Sequence, residues 1–232
     1  MAMKYSKALI VGSGSGLSAS LARLFAREGL KIALASRNRE KLAALCSTTG
    51  ATAFACDVSD PHQVSQLFEA VEDKFGAPDV VVFNASARSR GPFISLDVAE
   101  VEAAIRTSAF GGFLVAQQAA KRMVPQNHGA ILFTGASASV KGYAQSAPFA
   151  MGKFALRGLA QSMARELAPL GIHVAHFIID GAIRNPGRTE APDNPDSMLD
   201  PDAIAANYLH VLSQPRSAWT WELELRPWVE KF

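Results

Sequence analysis

A glycine-rich turn connects the first predicted strand of the chain to a helix, in the segment LIVGSGSGLSASLARLF. Backbone N–H groups of such a turn, together with the N-terminus of the following helix, can bind a pyrophosphate. The turn therefore predicts a dinucleotide site, whose residues would be Gly12, Ser13, Gly14, Ser15, Gly16 and Leu17. A tight strand-to-helix turn that binds no ligand is the alternative interpretation.

The second predicted strand ends in ALASRNREKL, where Ser36 is followed by Arg37. An acidic residue at this strand end binds the adenosine ribose of NAD, whereas an arginine pairs with the 2′-phosphate of NADP. Because neither Ser36 nor Arg37 is a carboxylate, the sequence favours NADP(H). Arg37 and Arg39 could instead form only the solvated start of a helix, since arginine is also common on protein surfaces.

Short β-type runs alternate with longer amphipathic helical stretches along most of the chain. The β-type runs are KALIV, KIALAS, TAFAC, DVVVF, AILFTG and HVAHFII, at 7–11, 31–36, 52–56, 79–83, 130–135 and 173–179. Continuous apolar strands that alternate with helices predict an α/β fold, a doubly wound parallel sheet of the Rossmann type. Such sheets bind ligands beyond the carboxyl ends of their strands. With 232 residues, 49% of them hydrophobic, the chain is expected to form a single domain.

The glycine turn resembles the TGxxxGxG motif of the short-chain dehydrogenases/reductases, with Val11 in place of the threonine and Ser18 in place of the third glycine. Three further segments extend the resemblance over nearly the whole chain. FACDVSD resembles the Asp-Val of the family's third strand, VVFNASA its NNAG motif, and FIIDGAIRN its PGxxxT motif. The resemblance implies further cofactor contacts: Asp57 to the adenine amino group, Val58 to the adenine ring, Ile183 to the nicotinamide carboxamide, and Asn84, Ala85, Ser86 and Gly181 along the cofactor.

Phe149 and Lys153 occupy the positions of the family's Tyr-xxx-Lys pair, which lies on one face of a helix. In the family, the lysine holds the nicotinamide ribose and lowers the pKa of the tyrosine, whose phenol donates a proton as hydride reaches the carbonyl. A phenylalanine has no such proton. The resemblance implies that Lys153 binds the ribose. In the alternative interpretation, its stem packs on Phe149 and Phe154 with the amine in water.

Two further catalytic positions of the family differ in this chain. Ala136 stands at the position of the serine, beside Ser137 and Ser139, and Ser108 stands at that of the helix asparagine.

Candidate replacements for the lost acid lie on the segment that precedes the helix of Lys153. Ser146 lies seven residues before Lys153, a separation that resembles enoyl thioester reductases, but a serine could only orient a carbonyl or a water. Tyr143 has the chemistry of an acid, unless it is an ordinary surface or interface tyrosine. The candidate catalytic residues are therefore Lys153, Tyr143 and Ser137.

The composition argues against several other classes of protein. The net charge is +2 and no block of lysine or arginine occurs, which argues against nucleic-acid or membrane partners. The apolar run near the N-terminus is too short for a signal segment, so the expected location is cytoplasmic. His173 and His176 lie three apart on a predicted strand and point to opposite faces, so no metal site is predicted.

The sequence predicts a role for each of two segments near the C-terminus. The Pro-, Asp- and Asn-rich stretch at 185–200 predicts a lid over the active site. SAWTWELELRPWVEKF predicts a last strand and tail at 218–232, with three tryptophans between 219 and 228. The family often assembles across its last strand, so we expect a homodimer or homotetramer through 219–232 and the helices near 98–124 and 147–168. Burial of the tryptophans on the protein's own core is the alternative.

Two functions are consistent with these residues. The first is an NADP(H)-dependent oxidoreductase with a non-standard active site, which transfers a hydride to a small-molecule substrate, a carbonyl compound or an activated alkene. The second is a catalytically inactive NADP(H)-binding relative that acts as a binding, sensor or interaction protein. Phe149 and Ala136 favour the second function, whereas the retained cofactor residues and the lid favour the first.

Overall fold

The computed structural model describes residues 5–230, whose strands form one parallel sheet of seven strands. The sheet has the strand order β3-β2-β1-β4-β5-β6-β7, with every neighbouring pair parallel. The strands are β1 (Lys7–Val11), β2 (Lys31–Ser36), β3 (Thr52–Ala55), β4 (Val80–Phe83), β5 (Gly129–Thr134), β6 (Ile172–Ile179) and β7 (Glu222–Leu225). The predicted fold class, a doubly wound parallel sheet in a single domain, is therefore confirmed. Each of the first six strands begins and ends within one residue of the prediction.

Helices cover both faces of the sheet, which is why the central strands are apolar along their whole length. One face packs against α1 (Leu17–Arg27), α2 (Ala43–Thr49) and α7 (Pro201–Ser213). The other packs against α3 (Pro61–Phe75), α5 (Gly111–Met123) and α6 (Ala147–Leu167). A further helix, α4 (Val98–Ile105), continues through a π-helical turn, Arg106–Phe110, into α5.

The order of the strands reverses at β1, which lies between β2 and β4. The connections that leave β1 and β4 therefore run in opposite directions and open a crevice beyond the carboxyl ends of these strands. The glycine turn at 12–16 follows β1, and the segment 84–87 follows β4, so both predicted cofactor segments border this crevice. The topology thus brings together residues that lie about seventy positions apart, as the contact from Asn84 to Ser18 shows.

The predicted lid at 185–200 is an irregular segment with anchored ends. Isolated bridges join Ile183 to Leu199 and Asn185 to Arg188. Arg184 forms a salt bridge of 2.6 Å with Asp200, the residue that caps the start of α7. The segment is therefore closed into a loop at its base.

The C-terminal segment contains a shorter strand than the prediction suggests. Only Glu222–Leu225 pairs with β6, and Trp228 is exposed beyond it. Trp219 stacks on His173, with ring centroids 4.5 Å apart. Of the predicted strand and tail at 218–232, positions 231 and 232 lie outside the described residues.

Candidate functional site

Two adjoining cavities lie beyond the carboxyl ends of the strands. The outer cavity has a volume of about 510 Å³ and the inner cavity about 280 Å³, and both are lined by Asn84 and Ser86. All the cofactor residues predicted from the sequence line one cavity or the other. The outer cavity is lined by Gly12, Ser13, Gly14, Ser15, Ser36, Arg37, Asp57, Val58, Asn84, Ala85 and Ser86. The inner cavity is lined by Gly16, Leu17, Asn84, Ser86, Lys153, Gly181 and Ile183, and also by the candidate catalytic residue Ser137.

The glycine turn has the geometry that a phosphate cradle requires. Gly12 has φ +84°, and a Cβ built on it would lie 2.3 Å from the backbone nitrogen of Ala85, so another residue would clash. A Cβ on Gly14 would meet no atom within 4 Å, so the backbone there faces open space. No acidic side chain stands in the first turn of α1, whose N-terminus therefore keeps its positive field for an anion. These features fit the pyrophosphate of a dinucleotide.

Ser18 and Asn84 join the glycine turn to the end of β4. The Asn84 Nδ2 donates to Ser18 Oγ at 2.7 Å, and Ser18 Oγ donates to the carbonyl oxygen of Gly12 at 3.2 Å. The serine at the third-glycine position thus holds the turn in place. Sequence analysis identified Asn84 only as a cofactor residue and missed this structural link.

The part of the outer cavity that lies beyond β2 carries two cations. Arg37 and Lys41 both line it, beside Ser36, whose Oγ donates to the carbonyl oxygen of Asn38 at 2.7 Å. Lys41 was missed by sequence analysis, although its position four residues after Arg37 in a helix-like segment was the signal available. Two cations at this position suit the dianionic 2′-phosphate of NADP.

Asp57 lines the same cavity as a carboxylate. Its Oδ1 accepts hydrogen bonds from the backbone nitrogen and the Oγ of Ser59, at 2.9 and 2.7 Å. These bonds lower the pKa of Asp57, and the positive charge of Arg37 adds to the effect. Asp57 is therefore ionised and able to accept a hydrogen bond from an adenine amino group.

Lys153 is buried in the inner cavity wall, with 3% of its surface exposed. Its Nζ donates to the carbonyl oxygen of Thr134 at 2.7 Å. Burial, and to a lesser extent the charge of Arg88, lowers the pKa of Lys153 to about 7. The interpretation that places this amine in water is therefore wrong, because the residue is buried and its amine donates to the end of β5.

Replacing Lys153 with methionine is expected to change how stability depends on pH. The pKa of Lys153 is about 7 in the folded protein and about 10.4 in an unfolded chain, so the unfolded state binds more protons between these values. The free energy of unfolding of the wild type therefore rises with pH in this window, by up to about 1.4 kcal/mol per pH unit, relative to Lys153→Met. Urea denaturation between pH 6 and 9 measures the difference. Parallel pH profiles of the two proteins would contradict the lowered pKa.

Phe149 lies beside Lys153 and carries a second cation on its ring. The guanidinium carbon of Arg88 lies 4.1 Å from the ring centroid, and the Nζ of Lys153 lies 5.9 Å from it. Arg88 also lines the inner cavity and remains accessible to solvent. Sequence analysis missed Arg88, because nothing in the local sequence indicates that the loop after β4 folds back onto α6.

Of the three residues considered as replacements for the missing proton donor, only Ser137 lines a cavity. Ser137 lines the inner cavity, but Tyr143 lines neither cavity and is 48% exposed on the loop before α6. Ser146, the residue before α6, also lines neither. The prediction of Tyr143 as proton donor therefore lacks the geometry it needs, since a donor must lie within hydrogen-bond reach of the substrate.

Two other serines near the site form hydrogen bonds within the protein. The Oγ of Ser108 accepts from the backbone nitrogen of Ala87 at 3.1 Å and is fully buried in the π-helical turn. The Oγ of Ser139 accepts from the backbone nitrogen of Ala136 at 3.1 Å and lies 3.4 Å from Nε2 of buried His176. These hydroxyls hold the loops that surround the inner cavity.

Neither a metal cluster nor a membrane-spanning helix is found in the part of the chain that the structure describes. Within residues 5–230, no group of three or more His, Cys, Asp or Glu side chains is arranged to hold a metal ion. In the same range, no helix combines the length and apolar character that crossing a membrane requires.

Comparison with known proteins gives matches over most of the chain. A family model described as short chain dehydrogenase matches residues 6–194. A short chain aldehyde dehydrogenase 1 of Euphorbia lathyris is 31% identical over 173 residues, which are 72% of this chain and 60% of that relative. A crystal structure of a short-chain dehydrogenase from Rhodopseudomonas palustris is 34% identical, with a TM-score of 0.82, and the match covers 96% of this chain and 99% of that one. A metagenomic short-chain oxidoreductase in complex with NADP is 25% identical, with a TM-score of 0.85 and coverage of 98% and 99%.

Proposed function

Because the chain belongs to the short chain dehydrogenase family of oxidoreductases, we propose that it is an NADP(H)-dependent oxidoreductase with a non-standard active site. Its substrate would be a small carbonyl compound or an activated alkene. The observation that carries this proposal is that two adjoining cavities share Asn84 and Ser86 in their linings, with Arg37 and Lys41 in the outer cavity and the buried Lys153 in the inner one.

The residues of the outer cavity support NADP(H) as the cofactor. NADPH, when bound, would supply the hydride. The turn around Gly14 would bind its pyrophosphate, Arg37 and Lys41 the 2′-phosphate, and Asp57 the adenine amino group. A relative of 25% identity has been crystallised with NADP, which supports the same choice. Asn185 and Arg188 line the inner cavity, so we propose that 185–200 acts as its lid.

Lys153 and Ser137 are the proposed catalytic residues of the inner cavity. The Nζ of Lys153 has one hydrogen bond, to Thr134, so its other protons remain available toward the ribose or the substrate. With its pKa at about 7, the amine can hold and release a proton near neutral pH. In a carbonyl reduction, the carbon receives the hydride, the C=O π bond breaks, and the oxygen receives a proton from Lys153 directly or through a water. Ser137 would orient that oxygen by a hydrogen bond.

A panel of aldehydes, ketones, enones and enoyl thioesters tests this proposal, with NADPH oxidation as the readout. We expect turnover of at least one class by the wild type and loss of it in Lys153→Met. The Tyr143→Phe variant is the matched control and should keep its activity, because Tyr143 lines neither cavity. NADPH binding without turnover on the whole panel would favour the alternative function, an inactive binding relative, to which Phe149 and Ala136 point.

We also propose that the protein forms a homodimer or homotetramer through α5 and α6. Large apolar side chains are exposed on these helices and the turn before α5, namely Phe110, Phe113, Met151 and Phe154. A cluster of this kind usually marks an interface.

Replacing Phe154 with aspartate is expected to convert the oligomer to a folded monomer. The side chain is 46% exposed in the isolated chain, so the charge would disturb an interface and spare the core. Light scattering measures the mass, and circular dichroism verifies the fold. Ile94→Asp, an exposed apolar position outside α5 and α6, is the control and should leave the mass unchanged. A wild type that is monomeric at micromolar concentration would contradict the proposal.

A further inference from the structure

The charged side chains that line the inner cavity are all cationic. Its lining includes the cationic side chains of Arg88, Lys153 and Arg188, and it includes no aspartate or glutamate. Within residues 5–230, neither Arg88 nor Arg188 forms a salt bridge. Arg184, in contrast, forms salt bridges with Glu190 and Asp200. Two arginines thus face the cavity with their charge uncompensated.

These cations act on one another. The pKa of Arg88 is lowered by partial burial and then by the charges of Arg90 and Arg188. Burial also lowers the pKa of Lys153, and Arg88 adds to the effect. Repulsion of this kind destabilises the empty cavity and would be relieved by an anion placed between the cations.

Phe149 prepares Arg88 for a planar anion. The guanidinium carbon lies 4.1 Å from the ring centroid, a cation–π contact that favours this position of the group, and no hydrogen bond or salt bridge within residues 5–230 uses its N–H groups. A fixed guanidinium edge matches the two oxygens of a carboxylate in a bidentate pair. The phenyl ring at the tyrosine position therefore has a physical use, as the support of a binding arginine.

Arg188 is held at the same cavity by a tight turn. The backbone nitrogen of Asn185 donates to the carbonyl oxygen of Arg188 at 3.1 Å, and the reciprocal bond measures 2.9 Å. The Asn185 Oδ1 also accepts from the backbone nitrogen of Gly187 at 2.9 Å. The turn thus keeps Arg188 on the cavity lining, although its segment is irregular and largely exposed.

From this arrangement we propose that the substrate carries a carboxylate, which Arg88 and Arg188 bind while its carbonyl group lies beside Lys153. The inference rests on the proposed function, since it names the substrate class of the same site. The anion could also come from the cofactor, because a Cβ built on Gly16 in the pyrophosphate turn would lie 3.8 Å from the Cβ of Asn185. The experiment must therefore separate a substrate carboxylate from a cofactor phosphate.

Matched pairs of oxo acids and their methyl esters provide the first test. For example, 4-formylbenzoate is compared with methyl 4-formylbenzoate, and 2-, 3- and 4-oxo acids with their esters, all with NADPH. We expect kcat/KM to favour the acid by at least about tenfold in the wild type. In Arg88→Met we expect kcat/KM for the acid to fall about ten- to hundredfold, mainly through KM, and the value for the ester to change little. Arg88→Lys should restore only part of the value for the acid, because a lysine keeps the charge without the fork. Arg90→Met is the matched control, since this neighbouring arginine lines neither cavity.

Calorimetric binding of benzoate to the protein saturated with NADP+ provides a second test that needs no turnover. We expect Arg88→Met and Arg188→Met to weaken benzoate binding about tenfold or more and to leave the Kd for NADPH unchanged. Equal use of acids and esters would overturn the proposal. So would a loss confined to NADPH affinity, which would assign the arginines to the cofactor phosphate, or a preference for phosphorylated aldehydes. Benzoate binding that depends on Arg88 and Arg188, without turnover of any substrate, would sustain the carboxylate site and overturn only the proposed reductase function.

Discussion

The double substitution Phe149→Tyr with Ala136→Ser is expected to raise NADPH-dependent reduction of neutral aldehydes and ketones, by less than about a hundredfold, because Lys153 already serves as a proton donor in the wild type and the new phenol improves on it. The new phenol would lie one helical turn before Lys153, on the same face of α6. The charge of Lys153 lowers the pKa of such a phenol from about 10, so that it can donate to a developing alkoxide near neutral pH. The serine would add a hydroxyl on the loop after β5 that steadies the carbonyl oxygen.

Steady-state kinetics on a neutral substrate panel measures this gain, and two variants make it specific. Phe149→Leu removes the ring and adds no proton, so it should not raise activity. Phe149→Tyr combined with Lys153→Met should lose most of the gain, because the phenol then keeps its ordinary pKa. Since the tyrosine ring can still support Arg88, the double variant should retain any preference for acids. An unchanged or lower rate, with NADPH binding intact, would show that position 149 does not face the reacting carbonyl.

Replacing Arg37 with alanine is expected to weaken NADPH binding about ten- to hundredfold and to leave NADH binding nearly unchanged. Each charge-assisted hydrogen bond to the 2′-phosphate contributes roughly 1.5–3 kcal/mol, and NADH lacks that group. Lys41→Ala should act in the same direction with a smaller effect, because a single ammonium makes no bidentate pair. Fluorescence titration with both cofactors measures the preference.

Arg39 offers a matched control for this titration. It lies in the same segment but lines neither cavity, and its guanidinium lies 3.7 Å from Glu40. Arg39→Ala should therefore bind NADPH as the wild type does. Tighter binding of NADH than NADPH by the wild type would contradict the cofactor assignment, whatever the variants show.

The parallel sheet and the glycine turn could be predicted because their causes are local. Each buried strand requires a run of apolar residues, each covering helix an apolar stripe, and the turn after β1 a residue that tolerates the φ of +84° at Gly12. The resemblance to one family then placed Arg37, Asp57 and Asn84 along the chain. All three line the outer cavity, since the carboxyl ends of parallel strands meet at one edge of a sheet.

The sequence by itself also determined that Lys153 and Phe149 share a face of α6, since that depends only on helical spacing. Only the tertiary structure decided what surrounds them. The burial of Lys153 against Thr134, the placement of Arg88 on the ring of Phe149, and the position of Tyr143 outside both cavities depend on how loops from β4, β5 and β6 pack over one another. Such contacts join residues that are far apart in the chain, so the charge and protonation of the site follow from the packed fold, and no local pattern of residue types contains them.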